Sequence, residues 1–341
     1  MKKQVCTGLL LLFTFGMQAQ FDTQLSNYWA AMHYYNPAYA GQTPQLELTG
    51  LYRMQWIGVE HAPKTGIVLA TMPFSFFGRE HGLGAVMYND QIGLFKANVI
   101  SGQYAFKMKL FGGSLGIGLQ GGYINETFDG TKVHIPNDND YHNSTDEAIP
   151  LSEVSGKSID LAAGIYYTDS LQKWYVGLSA THLIEPKLEL NETYILDVPR
   201  SYYFTAGYNI PLSNPLLELR SSVLLKATEV SSLSITEDSM LVAVKPNSFK
   251  GLLTQTQVDV SLRLAYAKML WCGLSWRKGE SVILLLGGKF KSIEFGYAYD
   301  IPVFSDLIRS TSGSHELYIK YAMDLNLSKE KKGKYKSVRI L

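Results

Sequence analysis

The eleven residues from Gly112 to Gly122, GGSLGIGLQGG, contain two spacings that carry chemistry in other proteins. Gly112 to Gly116 matches G-x-S-x-G, which displays a nucleophilic serine, here Ser114, at a strand-to-helix turn. Gly116 to Gly121 matches G-x-G-x-x-G, whose backbone N–H groups approach a pyrophosphate. Both arrangements need a helix directly after the glycines, because the serine or the phosphates sit at a helix N-terminus.

The residues after these glycines do not form a helical pattern. Residues 123–130, YINETFDG, combine β-branched, aromatic and turn residues and have no 3.6-residue period. Apolar residues alternate instead with small or polar ones, as Leu115, Ile117, Leu119 and Tyr123 against Ser114, Gly116, Gly118, Gln120 and Gly122. The stretch is therefore predicted to be a strand with one apolar face, and neither motif is predicted to be functional.

Other residue types that could support catalysis or metal binding are not grouped. The seven histidines form neither HExxH nor a His/Cys metal spacing, so we predict no metal ion and no cofactor. Ser114 and His315 are the only candidates for an enzyme, and no acidic residue is clearly placed with them. His315 and Glu316 open the last predicted strand, either as a partner contact near the external rim or as a hydrogen-bonded strand start.

The composition indicates a chain that exposes much of its surface to something other than water. The 341 residues carry a net charge of +1, and only 18% are charged, against roughly 25% in soluble domains. Aromatic residues reach 12%, with 22 tyrosines. A net charge this close to zero gives no reason to expect a nucleic acid partner.

The N-terminus has the parts of a secretory signal peptide. Lys2 and Lys3 are followed by an apolar core over 9–15 and by small and polar residues up to Ala19. The apolar core is too short to span a bilayer as a helix. We expect residues 1–20 to be the signal peptide, rather than a buried N-terminal helix.

Period-two alternation runs through most of the remaining chain, in segments of about ten residues. Strands that cross a bilayer need ~9–11 residues, whereas strands of soluble proteins average ~5–6. The predicted strands are 45–56, 65–73, 82–91, 96–110, 113–126, 157–168, 173–184, 201–210, 216–227, 256–266, 270–277, 281–289, 292–301 and 315–326. Aromatic residues near their ends are predicted to form interfacial girdles, namely Tyr52, Trp56, Trp174, Tyr175, Tyr202, Tyr203, Trp271 and Trp276.

The lengths of the connections alternate along the chain. Every long predicted connection has an odd number in chain order: 127–156, 185–200, 228–255 and 302–314. Outer-membrane barrels have short periplasmic turns and long external loops, whereas a soluble sandwich has no reason to sort its loops in this way. The sequence therefore predicts an all-β fold, a transmembrane antiparallel meander β-barrel of about 14 strands over residues 45–326.

Two segments flank the predicted barrel. Residues 21–44 have helical propensity from Leu25 to Tyr35, until Asn36 and Pro37 break it. We expect this part to be a periplasmic or lumenal segment that partly plugs the pore, with a disordered leader as the alternative.

Residues 327–341 form a basic tail. On the periplasmic side the tail is interpreted either as a contact for an anionic partner, such as a peptidoglycan-associated protein, or as a solvated mobile end. Its basic residues are Lys329, Lys331, Lys332, Lys334, Lys336 and Arg339.

Arg53 alternates with Met54 in the first strand and is therefore predicted to face the lumen. The proposed partners for its charge are four carboxylates on other strands, namely Asp259, Glu294, Asp160 and Asp324.

The sequence resembles the PorP/SprF family, membrane proteins associated with type IX secretion in Bacteroidetes. The resemblance begins with YYNPAYAG (Tyr34–Gly41) and YRMQWIGVEHAPKT (Tyr52–Thr65). It continues through GLGAVMYNDQIG (Gly82–Gly93), WCGLSWRKGES (Trp271–Ser281), FGYAYD (Phe295–Asp300) and SGSHELYIKY (Ser312–Tyr321). These matches cover nearly all of the chain after the signal peptide, in order and spacing.

The resemblance implies a non-enzymatic outer-membrane barrel, in contact with membrane lipid, that works in gliding and protein secretion. Its partners would be type IX secretion components and a large secreted adhesin with a C-terminal sorting domain. The candidate partner or plug contacts are Asn36, Pro37, Arg53, Trp56, His315 and Glu316. The alternative function is a channel or transporter for small or hydrophobic molecules, because a lumen of fourteen strands exceeds what wall side chains fill.

Overall fold

The computed structural model describes residues 22–133, 150–191, 195–229, 232–235, 241–244, 256–303 and 310–325. Within these residues, fourteen antiparallel strands form a closed barrel. Its strands are β1 (Gln45–Met54), β2 (Lys64–Phe76), β3 (Arg79–Ile92), β4 (Phe95–Leu110), β5 (Gly113–Asp129), β6 (Glu153–Asp169), β7 (Trp174–Thr181), β10 (Ser201–Pro211), β11 (Leu217–Thr228), β14 (Gln257–Tyr266), β15 (Leu270–Arg277), β16 (Ser281–Phe290), β17 (Ile293–Pro302) and β18 (Ser314–Asp324). The remaining strands form two small hairpins, β8 (Lys187–Glu189) with β9 (Ile195–Asp197) and β12 (Ser232–Ile235) with β13 (Leu241–Val244).

The barrel confirms the predicted meander. Each barrel strand pairs with the barrel strands before and after it in the chain, and β1 pairs with β18 to close the sheet. Closure pairs the backbone N–H and C=O groups of every strand on both sides, which a bilayer requires because lipid tails cannot hydrogen-bond them. The connection between β2 and β3 is only residues 77–78, shorter than predicted, because both strands extend further.

The side chains of each strand alternate between an exposed and a buried face. On β4, Ile100 and Tyr104 are exposed, whereas Ser101, Gln103 and Lys107 are buried. The exposed faces of the other strands also carry large apolar residues, among them Leu48, Val68, Leu119, Leu262, Leu286 and Ile319. An apolar exterior around a polar interior is the arrangement of a barrel whose outer wall contacts hydrocarbon.

Three of the eight aromatic residues predicted to form girdles face the lumen instead. Tyr203 and Trp271 are buried, and Tyr175 stacks on the buried Tyr166. Tyr52, Trp174 and Trp276 are exposed on the outer wall, as girdle residues must be. The prediction was wrong for the first three because a position near a strand end does not determine which face a side chain occupies.

The long connections lie at one end of the barrel, which we call the external end, and the opposite end is the periplasmic end. The external end carries the connections 130–152, 182–200, 229–256 and 303–313. Two other connections at that end, 93–94 and 278–280, are tight. The strand ends therefore confirm that all long connections are odd-numbered.

Among the described residues, helical structure lies in the segment before β1 and in one 3-10 turn after β5 (Gly130–Lys132). A 3-10 turn (Tyr28–Ala31) continues into a short α-helix (Met32–Tyr35), and a second 3-10 turn follows (Pro37–Tyr39). Asn36 interrupts the helix with φ −139° and ψ 109°, because a residue before proline avoids the α region. Among the described residues, no helix has the length and hydropathy needed to cross a membrane.

Candidate functional site in the barrel lumen

Residues 22–41, which we call the lumenal segment, run inside the barrel from its external end to its periplasmic end. At the external end, Asp22 contacts His182 and Tyr203. At the periplasmic end, the Gly41 N–H donates to Thr71 Oγ1 at 2.6 Å. Every residue of the lumenal segment is buried except Trp29 and Tyr39, which are partly buried.

Glycines on the inner wall make room for the backbone of the lumenal segment. A Cβ atom on Gly118 of β5 would overlap the backbone of Pro37 and Ala38, and one on Gly82 of β3 would overlap the carbonyl of Ala40. A Cβ on Gly116 would lie 2.7 Å from the Ala38 carbonyl oxygen. Gly116 and Gly118 of the two apparent motifs therefore serve close packing of backbone on backbone.

Asn36 joins the lumenal segment to the middle of the wall. Its Oδ1 accepts a 3.0 Å hydrogen bond from the Ala38 N–H and so caps the turn that begins at Pro37. Its Nδ2 donates to the carbonyl of Ile165 on β6 at 2.9 Å and to the carbonyl of Leu178 on β7 at 3.3 Å. One amide side chain thus fixes both the shape and the position of the segment.

A buried ion-pair network holds Arg53 at the external end. Arg53 Nη2 lies 2.7 Å from Asp300 Oδ2, and Nη1 lies 3.3 Å from Glu316 Oε2. Arg277 joins the network through Asp300 at 3.1 Å and Asp259 at 2.7 Å. Arg53 faces the lumen as expected, but its partners are Asp300 and Glu316 and none of the four carboxylates that we predicted.

The same network binds the lumenal segment. The backbone N–H groups of Ser26 and Asn27 donate to the Glu316 carboxylate at 2.7 and 2.6 Å. The Ser26 hydroxyl donates to Asp300 and accepts from Arg53, each at 2.7 Å. The carboxylates thus satisfy both the arginine charges and the backbone donors of the segment.

His182 forms a second ionic junction at the external end. Its Nε2 lies 2.9 Å from Asp22 Oδ1, and its Nδ1 lies 3.1 Å from Asp160 Oδ2. Burial favours the neutral ring, but the two carboxylates raise the pKa of His182 to about 10. Burial likewise favours protonated Asp22, but the imidazolium and the Lys226 ammonium hold the pKa of Asp22 well below its usual range.

A hairpin in the connection 182–200 packs over the external end. Leu188 of β8 is buried with Leu190 and Val198. These side chains contact Val99 on β4 and Ile124 on β5, both of which face inward. The expected connection 185–200 therefore contains a hairpin, for which its alternating apolar residues were a signal.

The remaining predicted site residues are distributed over both faces of the wall. Trp56 follows β1, and its backbone N–H donates to Ser314 Oγ at 3.1 Å. His315 points outward, with Nδ1 2.5 Å from the Tyr297 hydroxyl, whereas Glu316 points inward. His315 and Glu316 therefore cannot share one contact surface.

The two candidate catalytic residues are not brought together. Ser114 lies near the periplasmic end of β5, and His315 lies near the external end of β18 on the outer face. Among the described residues, no group of three His, Cys, Asp or Glu side chains could hold a metal ion. The predicted signal peptide 1–20 and basic tail 327–341 lie outside the described residues.

Several residues that hold the lumenal segment were not among the predicted contacts. Asp22, Ser26, Arg277 and Asp300 were not singled out as contacts. Strand parity places Arg277 and Asp300 on the inner face, but nothing in the sequence pairs them with residues of a segment about 250 positions away in the chain.

Comparison with known proteins places the chain in a family. The model of the type IX secretion system membrane protein PorP/SprF family matches residues 17–321. No curated protein matches the sequence.

Solved outer-membrane barrels resemble the structure at low sequence identity. The monoaromatic hydrocarbon channel CymD has 12% identity over 91% of this chain and 95% of its own, with a TM-score of 0.49. The toluene transporter TodX of P. putida has 10% identity over 85% and 92%, with a TM-score of 0.41. A FadL homologue of Pseudomonas aeruginosa has 12% identity over 82% and 89%, with a TM-score of 0.40.

Proposed function

This chain belongs to the PorP/SprF family of type IX secretion system membrane proteins, and we propose that it docks or anchors a secreted surface protein at the outer membrane. The family and the closed barrel place the protein in the outer membrane, among components of the secretion system. It is a barrel of a non-enzymatic kind. The proposed cargo is a large adhesin with a C-terminal sorting domain.

The observation that carries the proposal is the burial of the lumenal segment. Residues 22–41 are buried or partly buried and contact the inner wall from Asp22 to Gly41. We propose that this segment plugs the lumen. A plugged barrel contributes to secretion through its protein-binding surfaces rather than through conduction.

The proposed docking surface is the external rim near the start of β18. Trp56 and His315 lie there on adjacent strand ends, since Met54 pairs with His315. The His315 ring contacts Tyr297 and Tyr299, with ring centroids 5.9 and 4.9 Å apart. Aromatic side chains with polar tips are common at protein interfaces.

Deletion of the gene tests the proposed function. We expect one large adhesin to disappear from the cell surface and to return when the wild-type gene is restored. The measurement is a comparison of the surface and secreted proteomes. Complementation with His315→Ala should restore the barrel but not the adhesin. Unchanged proteomes in the deletion strain would refute the docking function.

The basic tail is proposed to contact an anionic periplasmic partner, such as a peptidoglycan-associated protein. The tail carries six lysine and arginine residues and follows β18, which ends at the periplasmic end at Asp324. Removal of residues 327–341 should abolish recovery of that partner with the purified barrel. Equal recovery with and without the tail would refute the proposed contact.

The second candidate function is a channel for small or hydrophobic molecules. The polar inner face of fourteen strands favours it. Planar-bilayer conductance and uptake measurements on the purified protein separate the two functions, because a docking barrel with a filled lumen should conduct few ions.

A further inference from the structure

Arg263 of β14 is a buried cation for which the described residues supply no carboxylate. Its side chain faces the lumen and is 8% exposed. The guanidinium lies 4.0 Å from the ring centroid of Trp29 and 5.9 Å from that of Trp271. Within the described part of the chain, no ion pair or hydrogen bond involves this guanidinium, and its Nε is buried without an acceptor.

Among the described residues, the other buried lysine and arginine side chains all have an oxygen partner. Arg53 and Arg277 form ion pairs with carboxylates. Lys226 donates to the Asp22 carbonyl at 2.7 Å, and Lys107 donates to the Gly41 carbonyl. Arg263 departs from this pattern, so its charge is not explained by the binding of the lumenal segment alone.

A second arginine stands directly opposite. Arg220 of β11 pairs in register with Arg263 of β14, and both face the lumen. Like charges at directly opposite positions destabilise a sheet unless something neutralises them. Arg220 Nε lies 2.7 Å from Glu218 Oε1, and this single carboxylate serves only one of the two cations.

The position of the pair makes it accessible from the periplasmic end. Arg220 is three residues from the first residue of β11, and Arg263 is three residues from the last residue of β14. The Arg220 side chain is 29% exposed. A small anionic group can therefore reach the pair without passing the ion-pair network around Arg53.

The rings leave one part of Arg263 available. The two tryptophans lie beside the guanidinium, and cation–π attraction offsets part of the cost of burying its charge. The donors at the edge of the guanidinium point within its plane, in the fork that matches two oxygens of a carboxylate or phosphate. Arg220, directly opposite Arg263 on the neighbouring strand, adds a second positive charge.

We propose that Arg263 and Arg220 form an oxyanion site in the periplasmic half of the lumen. The ligand is a phosphate or carboxylate group, supplied either as a free ion or by an acidic segment of a periplasmic protein. Because Trp29 belongs to the lumenal segment, bound anion and segment share one contact at Arg263. The site does not depend on the docking function proposed above.

The test measures anion binding to the purified full-length barrel in detergent. Inorganic phosphate and a hexaglutamate peptide are titrated separately by calorimetry, against sodium chloride at matched ionic strength. We expect saturable binding to the wild type and to Arg79→Gln, an exposed charge at the periplasmic end. Arg263→Gln should bind at least ten-fold more weakly.

Further variants keep the result decisive if Arg263→Gln does not fold. Arg263→Lys retains the charge but loses the fork, and Arg220→Gln removes the second charge, so both should weaken binding several-fold. Tighter binding of phosphate identifies a free ion as the source, and tighter binding of the peptide identifies an acidic protein segment. Absence of saturable binding to the wild type, or equal binding by all variants, overturns the proposal.

Discussion

At the scale of single residues, buried charged side chains of the network contact both the barrel wall and the lumenal segment. Glu316 accepts from Arg53 on the wall and from the backbone of Ser26 and Asn27 in the lumenal segment. Removal of one member leaves its partners buried with less compensation for their charge, which costs more than the pair itself contributes. Substitution of any one of these residues is therefore expected to destabilise the protein strongly.

Replacement of Arg53 tests this network. Arg53→Met should lower the free energy of unfolding by about 3–5 kcal/mol, because Asp300 and Glu316 keep their charges without the cation between them. The measurement is the midpoint at which the folded band is lost on heating before electrophoresis. Lys64→Gln, which removes an exposed charge, should change the free energy of unfolding by no more than ~0.5 kcal/mol. Its midpoint should therefore stay close to that of the wild type. Equal midpoints for both variants would contradict the role of the network.

The His182 junction predicts a dependence on pH. A histidine whose pKa is raised on folding, here to about 10 from an ordinary value of 6.5, contributes stability below pH 6.5 that is lost as the pH rises through 10. For Asp22 the pKa is lowered, so its contribution is present above the ordinary value of 3.8 and is lost as the pH falls. Both contributions are therefore fully present between pH 3.8 and pH 6.5.

His182→Gln should therefore cost stability at pH 6 and much less at pH 11. The quantity to measure is the difference in unfolding midpoint between wild type and variant, because other groups titrate equally in both proteins. Asp22 and Asp160 face the ring, and Asp22 in turn interacts with Lys226, Tyr203, Tyr34, Tyr88 and Asp90. A difference that stays constant from pH 6 to pH 11 would refute the charged state of His182.

At the scale of the elements, β5 shows how one strand serves two environments. Its outer face carries Ile117, Leu119 and Tyr123, which are exposed. Its inner face carries Gly116 and Gly118, against which the lumenal segment lies. The apolar residues are needed for the bilayer and the glycines for the segment, and the alternation of the strand lets one sequence meet both needs.

A methyl group on the inner face of β5 tests this packing. Gly118→Ala should destabilise the barrel by about 1–3 kcal/mol, because the new Cβ overlaps the backbone of Pro37 and Ala38. Gly102→Ala on β4 is the matched control, since its Cβ would face open space on the outer wall. The heating midpoint measures both variants. An equally large fall in the midpoint of Gly102→Ala would show that the effect does not come from contact with the lumenal segment.

At the scale of the whole molecule, the barrel and the lumenal segment form one folded unit. The segment touches walls as far apart as β3, β6 and β18. Its removal exposes buried charges on every side, and the lumen of a fourteen-stranded barrel is wider than its own side chains fill. Occupancy of the lumen is thus a property of the complete fold.

Deletion of residues 22–41 should convert the protein into an open pore. Planar-bilayer recordings are expected to show large, steady single-channel conductance for the deletion variant and little for the wild type. Heat modifiability in electrophoresis verifies that the variant still forms a barrel. Wild-type conductance as large as that of the deletion variant would argue for the channel function instead.

The sequence alone determined the architecture of this protein. Period-two alternation, strand length and the odd-even sorting of connections predicted fourteen antiparallel strands and a closed barrel, because each strand must meet hydrocarbon on one face. Alternation also placed Arg53 on the inner face. These features are local, and local patterns are readable from neighbouring residues.

Only the tertiary structure decided which residues meet across the lumen. Alternation assigns a face but not a partner, so Asp300 and Glu316 could not be distinguished from the carboxylates first chosen for Arg53. Likewise, only the tertiary structure shows that Gly116 and Gly118 of β5 leave room for the backbone of Pro37 and Ala38. The physical reason is that barrel closure brings together side chains from distant strands, and their contacts depend on tilt and register around the whole circumference.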